Sequence, residues 1–181
     1  MAVKPIVKMG NPVLARKAEA VEDPTAPEIR DLVADMRDSL RAVGGVGLAA
    51  PQIGIPLRVA IFEVPAARLK AEDGSGQEAV EPTVLINPVL EPVGEEQALG
   101  WEGCLSVPGL RGLVPRYTKL IYSGLDLQGS TIRREAAGFH ARVVQHECDH
   151  LDGILYPERM TDLKLLVYEE EMDAFMAGLN S

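Results

Sequence analysis

The run His146-Glu147-Cys148-Asp149-His150 constrains this chain more than any other stretch, because its two imidazoles converge only if the backbone carrying them is helical. Each residue of an α-helix advances about 100°, so His146 and His150 lie about 40° apart on one face, near enough to share a metal ion. Glu147 falls about 100° from His146, beside such an ion and not on it, where a carboxylate can act as general base on a water. A surface helix can carry two histidines by accident, but these are two of only three in the chain. The third, His140, lies about 120° round the helix from His146 and reads as a surface or packing histidine.

Hydrophobic periodicity sets what surrounds this helix. After the breaker cluster Pro24-Thr25-Ala26-Pro27, apolar residues at Ile29, Leu32, Val33, Met36 and Leu40 predict a helix over Glu28 to Val43, ended by Gly44-Gly45-Val46-Gly47. Arg58 to Val64 reads as a strand, Lys70 to Gln77 as a solvated hairpin or loop, and Thr83 to Ile86 as a second strand ended by Asn87-Pro88. Partial alternation at Tyr117, Leu120, Tyr122, Leu125 and Leu127 predicts one or two more strands between Leu113 and Leu127. Arg134 to Leu151 then reads as the motif-bearing helix, closed by Gly153, and Thr161 as the cap of a last helix from Asp162 to Met176. The expected fold is α+β, with mostly antiparallel strands surrounding a central helix and a C-terminal helix after it. No repeat or linker divides the chain, so residues 1–181 are expected to form one domain.

Hydrophobic residues make up 46% and charged residues 25%, and no segment approaches the roughly 18 consecutive apolar residues of a membrane span. No membrane partner is expected, and the N-terminus, lacking an apolar signal core or an Arg-rich transit pattern, points to the cytoplasm. A net charge of −9 argues against DNA and other broad nucleic-acid binding, which needs a basic face to displace counterions. Two cysteines cannot build a disulfide framework, so each is judged alone.

A catalytic metal site usually takes three protein ligands and leaves one position for water, so two histidines are not enough. The pattern HExxHxxGxxH finds its glycine in Gly153 but meets Tyr156 where the third histidine belongs. A downstream carboxylate is a second source, and Glu169, Glu170 and Glu171 follow His150 by 19 to 21 residues, although a run of this kind is ordinarily a solvated helix face. The third source is upstream, where Glu102-Gly103-Cys104-Leu105-Ser106-Val107-Pro108 presents a cysteine on a segment too interrupted for a helix. Cys148 lies about 200° from His146 on the helix and is expected to pack as a small apolar side chain.

Three segments together, Gly45-Val46-Gly47-Leu48-Ala49-Ala50-Pro51-Gln52, Glu102-Gly103-Cys104-Leu105-Ser106 and Gln145-His146-Glu147-Cys148-Asp149-His150, resemble in order and separation the signature motifs of the peptide deformylases. The resemblance extends through Gly10-Asn11-Pro12-Val13-Leu14 and Tyr156-Pro157-Glu158-Arg159-Met160, and so covers essentially the whole chain. It implies a hydrolase that removes the formyl group from N-formylmethionyl peptides and nascent chains, releasing formate. It further implies a metal held by Cys104, His146 and His150 with a water in the fourth position, and Glu147 as acid and base. Gln52 and the backbone N–H of Leu105 would donate to the developing oxyanion. The family is associated with Fe(II), with zinc, nickel or cobalt as substitutes, and a thiolate ligand suits each of them.

Gly45 and Gly47 suit a groove in which an extended peptide approaches the backbone, and Gly103 flanks the same site. The pattern Gly45-x-Gly47-x-x-Ala50 also resembles a dinucleotide-binding loop, but it follows a helix instead of a strand. Val46 and Val143 are candidates for the methionine pocket, and Arg111 for contact with peptide carbonyls or with an acidic groove residue such as Glu102. Transient ribosome contact through the C-terminal helix, suggested for some deformylases, is opposed here by Glu169, Glu170, Glu171 and Asp173, against Lys164 as its only basic residue.

Overall fold

Ile29, Val33, Met36 and Leu40 recur every three or four positions and are wound onto the buried face of α1 (Pro27–Val43). Pro27 stands in the first turn, where its missing N–H costs nothing, and Gly44 closes the helix at φ 69°, donating its N–H to Leu40. The computed structural model describes residues 2–73 and 78–179. Beyond α1 the chain forms β1 (Gly47–Ala49), β2 (Val59–Val64), α2 (Ala66–Asp73), β3 (Val80–Pro92), β4 (Gln97–Cys104) and β5 (Val107–Tyr117). There follow β6 (Lys119–Leu125), β7 (Thr131–Ala137), α3 (Gly138–Leu151), α4 (Tyr156–Arg159), β8 (Leu166–Tyr168) and α5 (Met172–Leu179).

The strands make two sheets, one of five in the order β1-β2-β3-β6-β7 and one of three in the order β4-β5-β8, and every pairing is antiparallel. β2 explains why the larger sheet has two apolar faces. Val59 and Ile61 join the core under α1, whereas Phe62 and Val64 join the core that includes Val143, Val144 and Cys148 of α3. A strand covered on both sides reads as a continuous apolar run, as Val59 to Phe62 does. Each fully buried valine, isoleucine or phenylalanine of this kind contributes roughly 1.5–3 kcal/mol. α3 also packs against β1 and β7 of the large sheet and β5 of the small one, so the helix that carries the histidines touches both. Among the described residues, no helix is long and apolar enough to cross a membrane.

The sequence expectations need four corrections. Arg134 to Ala137 belong to a strand, because Arg134 pairs with Tyr122 and Ala136 with Leu120 of β6. Gly138, at φ 56°, then turns the chain into α3. The last helix is broken: Asp162 caps a short 3-10 turn, Leu166 to Tyr168 pair with Gly112 to Leu110 of β5, Glu169 to Glu171 form a second 3-10 turn, and α-helix begins only at Met172. The second strand does not end at Asn87-Pro88, since β3 bulges there and continues to Pro92. Asn87, at φ 51°, anchors the bulge by exchanging two hydrogen bonds of 2.9 Å with the Val21 backbone. Finally, Lys70 to Asp73 lie in α2, while Gly74 to Gln77 of the expected loop fall outside the described residues.

Candidate active site

The small sheet brings Cys104 to the motif helix. β4 and β5 run in register from Gln97↔Tyr117 to Gly103↔Arg111, and the register then shifts so that Cys104 faces Val107. Such an irregularity re-aims a side chain at the end of a strand. The ligand atoms of Cys104, His146 and His150 all lie within 4.8 Å of one another, with Cys104 Sγ 3.3 Å from His150 Nε2. Glu169 is turned elsewhere, its carboxylate receiving both Nε and a terminal nitrogen of Arg111 at 3.0 and 2.6 Å. Arg111 therefore does not pair with Glu102.

Glu102 lines the groove and is also held by partners behind it. Its carboxylate is buried, receives a two-pronged hydrogen bond from Arg116 at 2.9 and 3.0 Å and one from Arg142 at 2.9 Å, and meets His146 Nδ1 at 2.8 Å. Burial alone would raise its pKa, but the hydrogen bonds from Arg116 and His146 overcome this and hold it well below the usual carboxylate range. Fixing Nδ1 in this way leaves Nε2 of His146 free to coordinate, the arrangement usual behind a metal-bound histidine. Arg116 continues to Asp149, which also receives a forked hydrogen bond from Arg159 at 2.7 and 3.2 Å. Tyr156, standing where another pattern would place a third histidine, stacks on the His146 ring at 6.3 Å between centroids.

The donor set fits a divalent transition metal, one sulfur and two imidazoles being borderline-soft ligands. The electrostatics agree. Burial, with His146 beside it, holds His150 well below the ordinary imidazole value, which keeps a lone pair available. Burial acts likewise on His146, but hydrogen bonding to Cys104 and Glu102 outweighs it and raises that ring well above its usual value. A site that draws a proton in this way has surplus negative charge, which a cation would equally offset.

Glu147 is buried with its carboxyl against Gly47, and Oε2 has no hydrogen-bond partner among the described residues. Burial, helped by the neighbouring Glu102 charge, pushes it up to about 7, so it can take and return a proton near neutrality. Gln52 is held by accepting the Ala49 N–H at 2.8 Å, which points its Nε2 to Ser106 Oγ at 3.3 Å and Cys104 Sγ at 3.5 Å. Leu105 stands at the turn between β4 and β5. These groups open into a groove of about 640 Å³ whose walls include Gly45, Val46, Gly103, Leu105, Arg111 and Val143. Gly45 also serves packing, since a Cβ there would come within 2.9 Å of Leu40. Cys148 packs in the core, where burial raises its thiol far above the ordinary value. His140 packs against Phe62 and Tyr122.

Sequence reasoning passed over Ser106, Arg116, Arg142 and Asp149. The signal for Arg116 was present: Gly112, Val114 and Arg116 alternate on the buried face of β5, and an arginine on such a face requires carboxylate partners.

A sequence model of the polypeptide deformylase family matches residues 3–165. The chain is 52% identical over 170 residues to peptide deformylase 1 of Nitrosomonas europaea, covering 94% of each chain. It is 54% identical over 172 residues to peptide deformylase 1 of Bordetella pertussis, covering 93% of this chain and 96% of that one. Among solved structures it resembles the Met-Ala-Ser-bound class I type b peptide deformylase of Acinetobacter baumannii, with TM-score 0.79 and 37% identity over 87% of this chain and 98% of the other. The peptide deformylase of Ehrlichia chaffeensis gives TM-score 0.80 at 32% identity, covering 90% of both. The chain belongs to the polypeptide deformylase family, metal-dependent hydrolases that remove the N-terminal formyl group from newly made polypeptides.

Proposed function

We propose that this chain deformylates N-formylmethionyl peptides through a site made of Cys104, His146 and His150 as metal ligands, Glu147 as acid and base, and Gln52 with the Leu105 N–H as oxyanion donors. The observation that carries this reading is the convergence of one sulfur and two imidazoles within 4.8 Å beside a buried carboxyl pushed up to about 7. A divalent ion held by the three ligands, Fe(II) by preference with Zn(II), Ni(II) or Co(II) as substitutes, would supply Lewis-acid activation of the attacking water. Glu147 takes the proton of that water and returns it to the leaving amine nitrogen, so formate and a free N-terminus depart. Gln52 Nε2, already aimed at the Cys104 sulfur, offers an N–H to the oxygen that gains charge as the formyl carbon becomes tetrahedral. Leu105, at the adjoining turn, offers its backbone N–H to the same oxygen.

The groove between Gly45 to Gly47 and Gly103 to Arg111 suits an extended peptide, with Val46 and Val143 packing on the first side chain. We read α3 as the central element of one deformylase domain spanning residues 1–181, acting in the cytoplasm. The test is anaerobic formate release from formyl-Met-Ala-Ser by Fe(II)-loaded protein, beside Glu147→Ala and Cys104→Ala. The wild type should release formate, Glu147→Ala should bind metal without turnover, and Cys104→Ala should lose both. No release by the wild type, or full release by Glu147→Ala, would sink the mechanism.

A further inference from the structure

Residues 2–18 contribute no strand to either sheet, yet their backbone is tied to all three segments that carry the candidate site. Val7 donates its N–H to the Gln52 carbonyl at 2.9 Å, Met9 to the Ser106 carbonyl at 2.8 Å, and Ala18 at 2.8 Å to the carbonyl of Leu151, the residue after His150. Contact with the third segment continues at Gly153, where a Cβ would stand 2.7 Å from the Arg16 backbone. The stretch is anchored on either side of Val7 and Met9. Ala2 and Lys4 donate their N–H groups to Asp35 and Ser39 of α1 at 2.7 and 2.8 Å, and Val13 and Leu14 are buried. The Met9 side chain, by contrast, is 55% exposed, so this residue meets the site through its backbone.

Ser106 is the joint between this segment and the site. It is fully buried, and its carbonyl receives Met9, its N–H points to Cys104 Sγ at 3.4 Å, and its hydroxyl accepts Gln52 Nε2 at 3.3 Å. Gln52 is held from its other side, Oε1 accepting the Ala49 N–H and the backbone carbonyl accepting Val7. An amide nitrogen has two N–H bonds in the plane of the group. Ser106 Oγ takes one, which leaves the second for the side of Cys104, whose Sγ stands 3.5 Å from Nε2.

We propose that Val7 to Met9 form a positioning strap: two N–H groups two residues apart fix the carbonyls of Gln52 and Ser106, and so set the direction in which the Gln52 amide points. Met9 and Ser106 are then positioning residues that act through Gln52. This role rests on the reading of Gln52 as an oxyanion donor given above. A donor aimed before substrate arrives need not reorganise while charge develops on the formyl oxygen. The contribution of the strap therefore falls on kcat and not on KM.

The backbone permits a clean test. Lys8 to Asn11 make a turn closed by the Asn11 N–H on the Lys8 carbonyl at 3.0 Å, with Gly10 at φ 100° in its third place. Proline is common in the second place of such a turn, so Met9→Pro deletes the N–H given to Ser106 and keeps the turn. Ser106→Ala deletes the hydroxyl alone. Each change is made in the full chain, alone and together with Gln52→Ala, and kcat and KM for formyl-Met-Ala-Ser are measured on metal-loaded protein beside its metal content. Ser106→Ala should lower kcat about tenfold and Met9→Pro several fold, the range of one hydrogen bond, with KM within about twofold and the metal retained. On the Gln52→Ala background neither change should lower kcat by more than about twofold, because no amide remains to be aimed. A loss of full size on that background, a loss that follows release of the metal, or wild-type kcat in both single variants overturns the strap. Should Met9→Pro not fold, Val7→Pro, which deletes the N–H given to Gln52, takes its place by the same criteria, and Ser106→Ala decides if neither folds. Failure of the underlying reading is distinguishable, because Gln52→Ala would then be as active as the wild type, and the strap would fall with it.

Discussion

The Glu147 carboxyl occupies the space in which a Cβ on Gly47 would stand. Gly47 sits in β1, paired with Phe62 of β2, so the backbone there cannot retreat without breaking the sheet edge. A glycine that first reads as room for substrate is therefore also room for the base. Gly47→Ala should leave the fold in place and displace Glu147, lowering kcat by about 100-fold or more, the range of general acid-base contributions. Circular dichroism beside formate release checks this. Activity within a few fold of wild type would show that the carboxyl has no need of that space.

Glu102 holds His146 on one side and two arginines on the other, and all four side chains are largely withdrawn from water. Glu102→Gln keeps the shape but removes the charge that Arg116 and Arg142 share. Unfolding stability should fall by about 3–5 kcal/mol, as when one partner of a buried pair is removed. Metal affinity should fall about 10–100-fold through the loosened His146. Chemical denaturation and metal content after dialysis against a graded chelator measure the two separately.

His140 packs against Phe62 and Tyr122, and burial, with Arg134 adding to it, holds its ring down at about 4. The unfolded chain protonates this ring near 6.5 and the folded one only near 4, so its contribution is full above about pH 6.5 and is lost as pH falls toward 4. The loss should be about 2 kcal/mol, allowing for the part of the ring that water still screens. His140→Phe should flatten the melting temperature of the metal-loaded protein over that window by roughly 5 °C relative to wild type. Parallel curves for the two proteins would remove His140 from the account.

The chain after Thr161 carries Glu169, Glu170, Glu171 and Asp173, and part of it is committed to the fold through β8 and through Phe175 packed edge-on against Trp101. Anionic side chains on an anchored segment repel ribosomal RNA. Sedimentation with ribosomes at moderate salt should retain little of this protein. Strong retention that vanishes as salt rises would point to a basic surface elsewhere on the chain.

Local chemistry makes the helix of the two histidines legible. His146 and His150 need only the helical repeat to meet, and Ile29, Val33, Met36 and Leu40 need only the same repeat to build α1. Cys104 is legible through its motif, because spacing alone leaves Glu169 to Glu171 as rivals, and only the fold brings Cys104 to the two histidines. Two of the misread segments have one cause in common. Arg134 to Ala137 and Leu166 to Tyr168 carry no strong periodicity of their own, and hydrogen bonds to β6 and β5 decide their state.

The sequence by itself determined the candidate ligand types, the helix that presents two of them, and the family, because these depend on residues close together or on motifs read in order. Only the tertiary structure decided that Gly47 makes room for Glu147, that Glu102 faces His146 and two arginines, and that Gly100 beds Arg142. These join residues from 14 to 100 positions apart, on two strands or on a strand and α3, and such pairings exist only once sheet registers have brought the strands together and to the helix. The His146 to His150 run carries the proposed chemistry, and the two sheets that converge on it bring Gly47, Glu102 and Cys104 to the helix.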